Sequence, residues 1–291
     1  MILITGGTGT SGVPILRELA STGKPFRVLV RDPAKINALR LPNVEVAVGD
    51  LSNPASIRAA LHDVDRALLN SGSDPKQAEL QGNFITAAKA AGVKHLVKFS
   101  AMGANPASTA RFLRIHGQAE EQIRASGMAF TFLRPTFFFQ NLLGLAAMAK
   151  QGYIYQPAAD GRSAFVDVRD IATVAVKVLT ERGHEGKAYD LTGPKAIGYH
   201  DIAAAFTELL RKEVQYVDVP SAHAKQGLME AGYSNWAADG VNELLAQMRA
   251  GAFLRVSNVV SDVAGRDSIS LQQFVSDYAD IFRGAKTSVA S

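Results

Sequence analysis

Cysteine is absent from the 291-residue sequence. That excludes disulfides, thiolate catalysis and cysteine-ligated metal centres, so any redox chemistry must come from a bound cofactor. No run of lysine and arginine occurs, and the formal net charge of +4 is spread along the chain. Such a mild balance argues against a nucleic-acid groove and suits an anionic small ligand. Long apolar runs are missing too. The most apolar stretch, Phe137 to Ala149, is broken by Gln140 and Asn141 and falls short of the ~20 residues a membrane helix needs, so it reads as a buried or pocket-lining segment and no membrane partner is expected. No leader is expected, because Ile2 to Thr5 already read as a strand, and the expected location is the cytoplasm. Internal repeats and low-complexity linkers are not apparent.

What the sequence has is a 47% hydrophobic composition, enough to bury one large α/β core with a small appendage. Short apolar runs at Ile2–Thr5, Phe26–Val30, Val44–Val48, Arg66–Leu69, His95–Ser100 and Ala129–Leu133 alternate with helical patterns. This alternation implies parallel βαβ units and a doubly wound sheet, with the ligand at the carboxyl ends of the strands. Asp32-Pro33 reads as a helix start, and Gly92, after Ala87–Ala91, as a helix stop. After Pro135 the alternation lapses. It resumes with a helix at Asp170–Arg182 and a strand at Ala188–Leu191, then gives way to a helix-rich stretch from Tyr199 to Gly251. The expected organisation is a dinucleotide-binding domain over 1–135, completed by about 165–194, with 136–164 and 195–291 forming a smaller, mostly helical substrate lobe.

The segment from Thr5 to Gly12 follows a strand and opens a helix, with glycines at 6, 9 and 12. Gly6 suits the tight turn, Gly9 the approach of a pyrophosphate and Gly12 the close packing of helix on strand, while the helix start offers free N–H groups. Thr8, Thr10 and Ser11 complete this expected cradle. At the end of the second strand a basic residue would hold a 2′-phosphate and an acidic one a ribose hydroxyl. Arg31 stands there and Lys35 follows one turn later, whereas Asp32 is placed to cap the helix. NADP(H) is therefore favoured, with NAD(H) left open. Asp50 and Leu51, then Asn70, Ser71 and Gly72, then Ser100, Ala101 and Met102, end the third, fourth and fifth strands and are expected to wall the cofactor.

The chain resembles the NmrA-like, atypical branch of the short-chain dehydrogenase/reductase superfamily over nearly its whole length. The resemblance rests on Ile4-Thr5-Gly6-Gly7-Thr8-Gly9, Val30-Arg31-Asp32-Pro33, Leu133-Arg134-Pro135 ahead of Phe137–Asn141, Val166-Asp167-Val168-Arg169-Asp170-Ile171-Ala172, and Tyr189-Asp190-Leu191-Thr192-Gly193-Pro194. It implies a Rossmann domain with a small C-terminal lobe. It also implies either an NADPH-dependent reductase of quinones and similar acceptors or a non-catalytic sensor of the dinucleotide redox state.

Typical superfamily members carry a tyrosine and a lysine four residues apart on the helix after the fifth strand. Here the matching positions hold His116 and Glu120. Residues at i and i+4 share a helix face, so the carboxylate is expected to favour the imidazolium and make His116 a general acid; the plainer alternative is a surface pair. Lys98 is a second basic group, but its place inside a strand leaves its orientation unassigned. Tyr153 and Tyr155 read as packing residues. Phe137, Phe138 and Phe139, with Gln140 and Asn141 as polar contacts, would suit a flat, apolar or aromatic acceptor, and the same phenylalanines would equally suit a core. No metal site is expected, and the chain should be a monomer or homodimer. Sugar-nucleotide epimerisation is disfavoured, since that chemistry needs the missing tyrosine and lysine.

Overall fold

A computed structural model describes residues 1–284. The chain begins with β1 (Ile2–Thr5), α1 (Gly12–Ser21), β2 (Phe26–Val30), α2 (Pro33–Asn37), β3 (Val44–Val48), α3 (Pro54–Ala60) and β4 (Arg66–Leu69). It continues with α4 (Gln77–Ala90), β5 (His95–Phe99), α5 (Arg111–Ser126) and β6 (Ala129–Pro135). A 3-10 segment at Phe139–Leu145 leads into α6 (Ala146–Gln151), β7 (Tyr153–Gln156), β8 (Arg162–Ser163), α7 (Val168–Thr180) and β9 (Lys187–Leu191). The remainder is β10 (Ile197–Gly198), α8 (Tyr199–Leu210), β11 (Gln215–Asp218), α9 (Ser221–Glu230), α10 (Asn235–Arg249), α11 (Val259–Ala264), α12 (Leu271–Asp277) and α13 (Ala279–Arg283).

Two compact units emerge. The first comprises Met1–Pro135, Val168–Leu191 and Asp262–Gly265. Its seven strands are all parallel, in the order β3-β2-β1-β4-β5-β6-β9, which reverses direction between β1 and β4 and so opens a crevice at their carboxyl ends. The inner strands β1, β2, β4 and β5 are buried on both faces, while the edge strands β3 and β9 keep exposed residues. On one face Leu3, Leu29, Leu69, Leu96 and Phe132 join Ile57 of α3, Phe84 and Ile85 of α4, and Ala119 and Ile123 of α5 in a continuous core. Ile4, Leu68 and Val97 alternate to the opposite face and are fully buried there, where α1 and α7 pack on each other. Burying each such side chain contributes about 1.5–3 kcal/mol before conformational entropy is subtracted. Helix starts follow local chemistry: Asp32 and Asn53 accept backbone N–H groups ahead of Pro33 and Pro54 at the first helical positions. The expected stop after the alanine-rich run is also present, with Gly92 at φ 75°.

The second unit comprises Thr136–Asp167, Thr192–Ser261 and the described residues from Arg266 onward. Aromatic rings fill its core. Phe139 stacks on Phe274 at 5.3 Å and on Phe165 at 6.1 Å, and Phe206 lies 4.6 Å from Phe282. β11 pairs with β7 in parallel, and β10 with β8 antiparallel. These four short strands interrupt a region whose sequence reads as helix-rich. No helix among the described residues is long and apolar enough to cross a membrane.

Candidate functional site

The glycine turn is held open by its own strand neighbours. The Thr5 hydroxyl donates to the Asn70 carbonyl at 2.7 Å and accepts from the Asn70 N–H at 2.9 Å, tying the end of β1 to the end of β4. Asn70 Nδ2 then donates to the Gly6 carbonyl and to Ser11 Oγ, at 3.4 and 3.2 Å. Gly6 takes a φ of 64°, and a Cβ there would sit 2.6 Å from the Asn70 oxygen, so the turn and this close approach both require glycine. A Cβ on Gly12 would fall 2.7 Å from the Gly7 Cα, which lets α1 start against the turn. Gly9 is different: its Cβ would have only ordinary contact with the protein, leaving its face to a ligand.

Ser11 precedes α1 but makes no capping hydrogen bond, and no acidic residue stands in the helix's first turn. Pro14 has no N–H and the Val13 N–H is taken by the Gly9 carbonyl at 3.1 Å, so what the helix start offers an anion is chiefly its positive end. Around this turn lies a cavity of about 380 Å³, lined by Thr5 to Gly9, Arg31, Asp32, Lys35, Asp50, Leu51 and Asn70 to Asp74. Arg31 is 85% exposed and its Nε lies 3.8 Å from Asp50 Oδ2. Asp32 serves as the helix cap, accepting the Ala34 N–H at 2.9 Å. The Asp50 pKa is held below the ordinary carboxylate value by hydrogen bonds from Ser52, with Arg31 adding to the effect.

Of the expected cofactor contacts, Gly6, Thr8, Gly9, Arg31, Lys35, Asp50, Leu51, Asn70, Ser71 and Gly72 line this cavity. Thr10, Ser11, Gly12, Ser100, Ala101 and Met102 do not. Ser11 is turned towards Asn70, and Gly12 is a packing position. The buried Ser100 hydroxyl donates to Glu120 Oε1 at 2.6 Å, and the Met102 N–H extends the sheet by bonding Pro135. Gly7 and Leu80 line the cavity although neither was expected to; nothing in their residue types separates them from ordinary turn and helix positions.

The expected His116–Glu120 pair does not form. Glu120 is 1% exposed, and both its oxygens are engaged by Arg134, with Ser100 and Arg124 as further donors. A guanidinium fork outcompetes an imidazole for a buried carboxylate because it matches both oxygens. His116 instead turns its Nδ1 to Lys98 Nζ, 3.1 Å away. Lys98 is fully buried and also donates to the Phe99 carbonyl. The expected imidazolium is corrected as well: burial, reinforced by Lys98, pushes the His116 pKa well below its ordinary value. α5 is pressed close here, since a Cβ on Gly117 would sit 2.7 Å from the Asn105 Cα. The signal for Lys98 was the alternation along β5, which places it on the same face as the core residue Leu96 and therefore towards α5.

Phe139, expected as an acceptor contact, is 2% exposed and belongs to the aromatic core of its unit. Phe137 packs edge-on against Phe253 and, like Phe138, is half-buried; Asn141 is exposed. Gln140 Nε2 donates to Asp167 Oδ1 at 3.0 Å. Tyr153 and Tyr155, read as packing residues, stack on each other with both rings 43% exposed. Among the described residues no cluster of histidine and carboxylate side chains could hold a metal.

The strand order, the glycine turn at the switch point and the uncapped helix start define a dinucleotide-binding fold of the doubly wound class. The chain belongs to the NmrA-like family, whose model matches residues 1–250. It is 40% identical over 286 residues to an NAD(P)H azoreductase of Xenophilus azovorans, covering 98% of this chain and all of the relative. Its structure is similar to that of an NADPH-dependent quinone oxidoreductase from Escherichia coli complexed with NADPH, with a TM-score of 0.88 and 32% identity over 95% of this chain and 99% of the other. The triphenylmethane reductase of a Citrobacter species, complexed with NADP(H), gives a TM-score of 0.86 at 27% identity, covering 95% of this chain and 99% of that one.

Proposed function

We propose that this protein is an NADPH-dependent oxidoreductase that reduces a quinone or a similar apolar electrophile. The observation that supports this most is the cavity at the switch point, where the open face of Gly9, the uncapped start of α1 and the cationic Arg31 and Lys35 fit a diphosphate and a 2′-phosphate. The names of the related proteins, an azoreductase, a quinone oxidoreductase and a triphenylmethane reductase, agree with a conjugated acceptor. Bound dinucleotide would supply the hydride, the demanding part of the chemistry.

The chain's own contribution is binding, orientation and one proton. Thr5 and Asn70 hold the glycine turn, and Arg31 and Lys35 select the phosphorylated ribose. His116 protonates the acceptor atom that gains negative charge, so the missing tyrosine and lysine do not abolish catalysis. Glu120 has no direct part, since its oxygens are already filled.

The test is NADPH oxidation followed across a panel of quinones, azo dyes and enones. Sustained quinone-dependent turnover is the expected result. Tight NADPH binding with no turnover on any acceptor would remove the enzyme reading and leave a redox sensor.

A further inference from the structure

We infer that Lys98 is the positioning and proton-supplying partner of His116, the two forming a relay in which the lysine stores the proton and the imidazole delivers it. A methionine or leucine would fill this place in the sheet without burying an ammonium group, so packing alone gives no reason for lysine here. The side chain reaches α5 instead of solvent, and it ends on two groups, the Phe99 carbonyl and His116 Nδ1. The carbonyl can only accept, which fixes one Nζ–H upon it. A second Nζ–H donated to Nδ1 leaves the imidazole proton on Nε2, making His116 a donor at that atom.

The same heavy atoms also hold the alternative state. When the acceptor's oxygen or nitrogen gains negative charge, the Nε2–H bond breaks and its proton passes to that atom. His116 then takes a proton at Nδ1 from Lys98, whose ammonium becomes an amine. That amine still donates to the Phe99 carbonyl and now accepts from Nδ1–H. One proton leaves the pair per turnover, matching the one proton an acceptor needs beside a hydride, and a solvent proton restores the ammonium.

The electrostatics around the pair suit this exchange. Burial pushes the Lys98 pKa down to about 7, while Glu120 acts in the opposite direction, so ammonium and amine are both populated near neutrality. Leu69 of β4 and Phe132 of β6, its register partners, carry no charge. The packed elements carry Arg66 on β4, Arg111, Arg114, Glu120, Glu121 and Arg124 on α5, and Arg134 on β6; of these Glu120 acts on Lys98, and it is itself held by Arg124 and Arg134, with Asp190 of β9 acting on Arg134. Because the His116 pKa is itself far below its usual value, the imidazole passes a proton on without storing it.

The catalytic part of this inference rests on His116 meeting the acceptor; the pairing and its two states do not, and the experiment separates the two. Protein without dinucleotide, carrying ¹⁵N-histidine and ¹³C-lysine, is titrated from pH 5.5 to 9 by NMR. The expected result is an Nε2–H tautomer of His116 at low pH that changes to Nδ1–H with a midpoint near 7, the same midpoint as the Lys98 Cε signal. In Lys98→Met the tautomer should no longer depend on pH. With an acceptor that turns over, wild-type kcat should fall as pH rises through that midpoint, and Lys98→Met should lower kcat at pH 6 by roughly tenfold, part of the 10²–10⁴ of a general acid, and abolish the limb. A wild-type tautomer that stays constant across the range, or a Lys98 signal that titrates near its ordinary value, overturns the relay without needing any variant to fold. Absence of turnover with the tautomer change intact would sink the oxidoreductase reading and leave the pair standing.

Discussion

Replacing Glu120 with alanine would strip a buried network of the carboxylate that Ser100, Arg124 and Arg134 share. The Ser100 hydroxyl, on a residue 2% exposed, would lose its acceptor, which costs about 1–3 kcal/mol. Arg134 would lose both of its bonds, but its side chain is 23% exposed, so water recovers part of the 3–5 kcal/mol typical of a broken buried pair. Arg124, 47% exposed, contributes little. Together these terms give about 3–4 kcal/mol, and at roughly 2–4 °C per kcal/mol for a chain of this size the melting temperature should drop by roughly 6–16 °C. Scanning calorimetry of the wild type, Glu120→Ala, Arg134→Leu and the double variant Glu120→Leu/Arg134→Leu measures this. The double variant should be more stable than Glu120→Ala, since the guanidinium that depends most on Glu120 is removed along with it and the remaining Arg124 is half exposed. A Glu120→Ala melting temperature within 2 °C of wild type, or a double variant less stable than both single ones, would refute the reasoning.

Arg31→Ala should weaken NADPH binding by roughly tenfold, about 1.4 kcal/mol for one exposed phosphate contact, and leave NADH binding nearly unchanged in calorimetric titrations. Gly12→Ala should destabilise the protein, because its Cβ would collide with the backbone of Gly6 and Gly7, whereas Gly9→Ala should keep the melting temperature and lose dinucleotide affinity. Burial pushes the His95 pKa down to about 4, with Arg66 adding to the effect and Glu185 opposing it. Its unfolded value lies near 6.5, so the unfolded chain binds more protons between these limits. The contribution is complete above pH 6.5 and lost as pH falls towards 4, about 3 kcal/mol in all; denaturant titrations across that range should show the slope, and His95→Phe should flatten it.

The parallel sheet was legible because its strands are short apolar runs separated by longer helical patterns, and length, flanking glycine and proline and period together distinguish the two. Asp32 and Gly6 were legible for a related reason, each being a residue type that local backbone geometry demands. What escaped was partner choice. From α5 alone, His116 and Glu120 share a face, and only the neighbouring strands show that Arg134 claims the carboxylate and Lys98 the imidazole. Phe137, Phe138 and Phe139 posed the same difficulty, since ring type does not reveal which of three neighbours the core takes. The strands β7 and β11 were missed because each is four residues long and its pairing partner is distant in sequence.

The glycine turn is braced by Asn70 and Thr5, while Arg31 and Lys35 stand in solvent at the end of β2 and touch none of that bracing. The proposed seat for the diphosphate and the proposed choice between coenzymes are thus mechanically independent. An engineer wishing to run this protein on the cheaper, unphosphorylated coenzyme could rewrite the two basic positions without disturbing the hinge between the first strand and its helix.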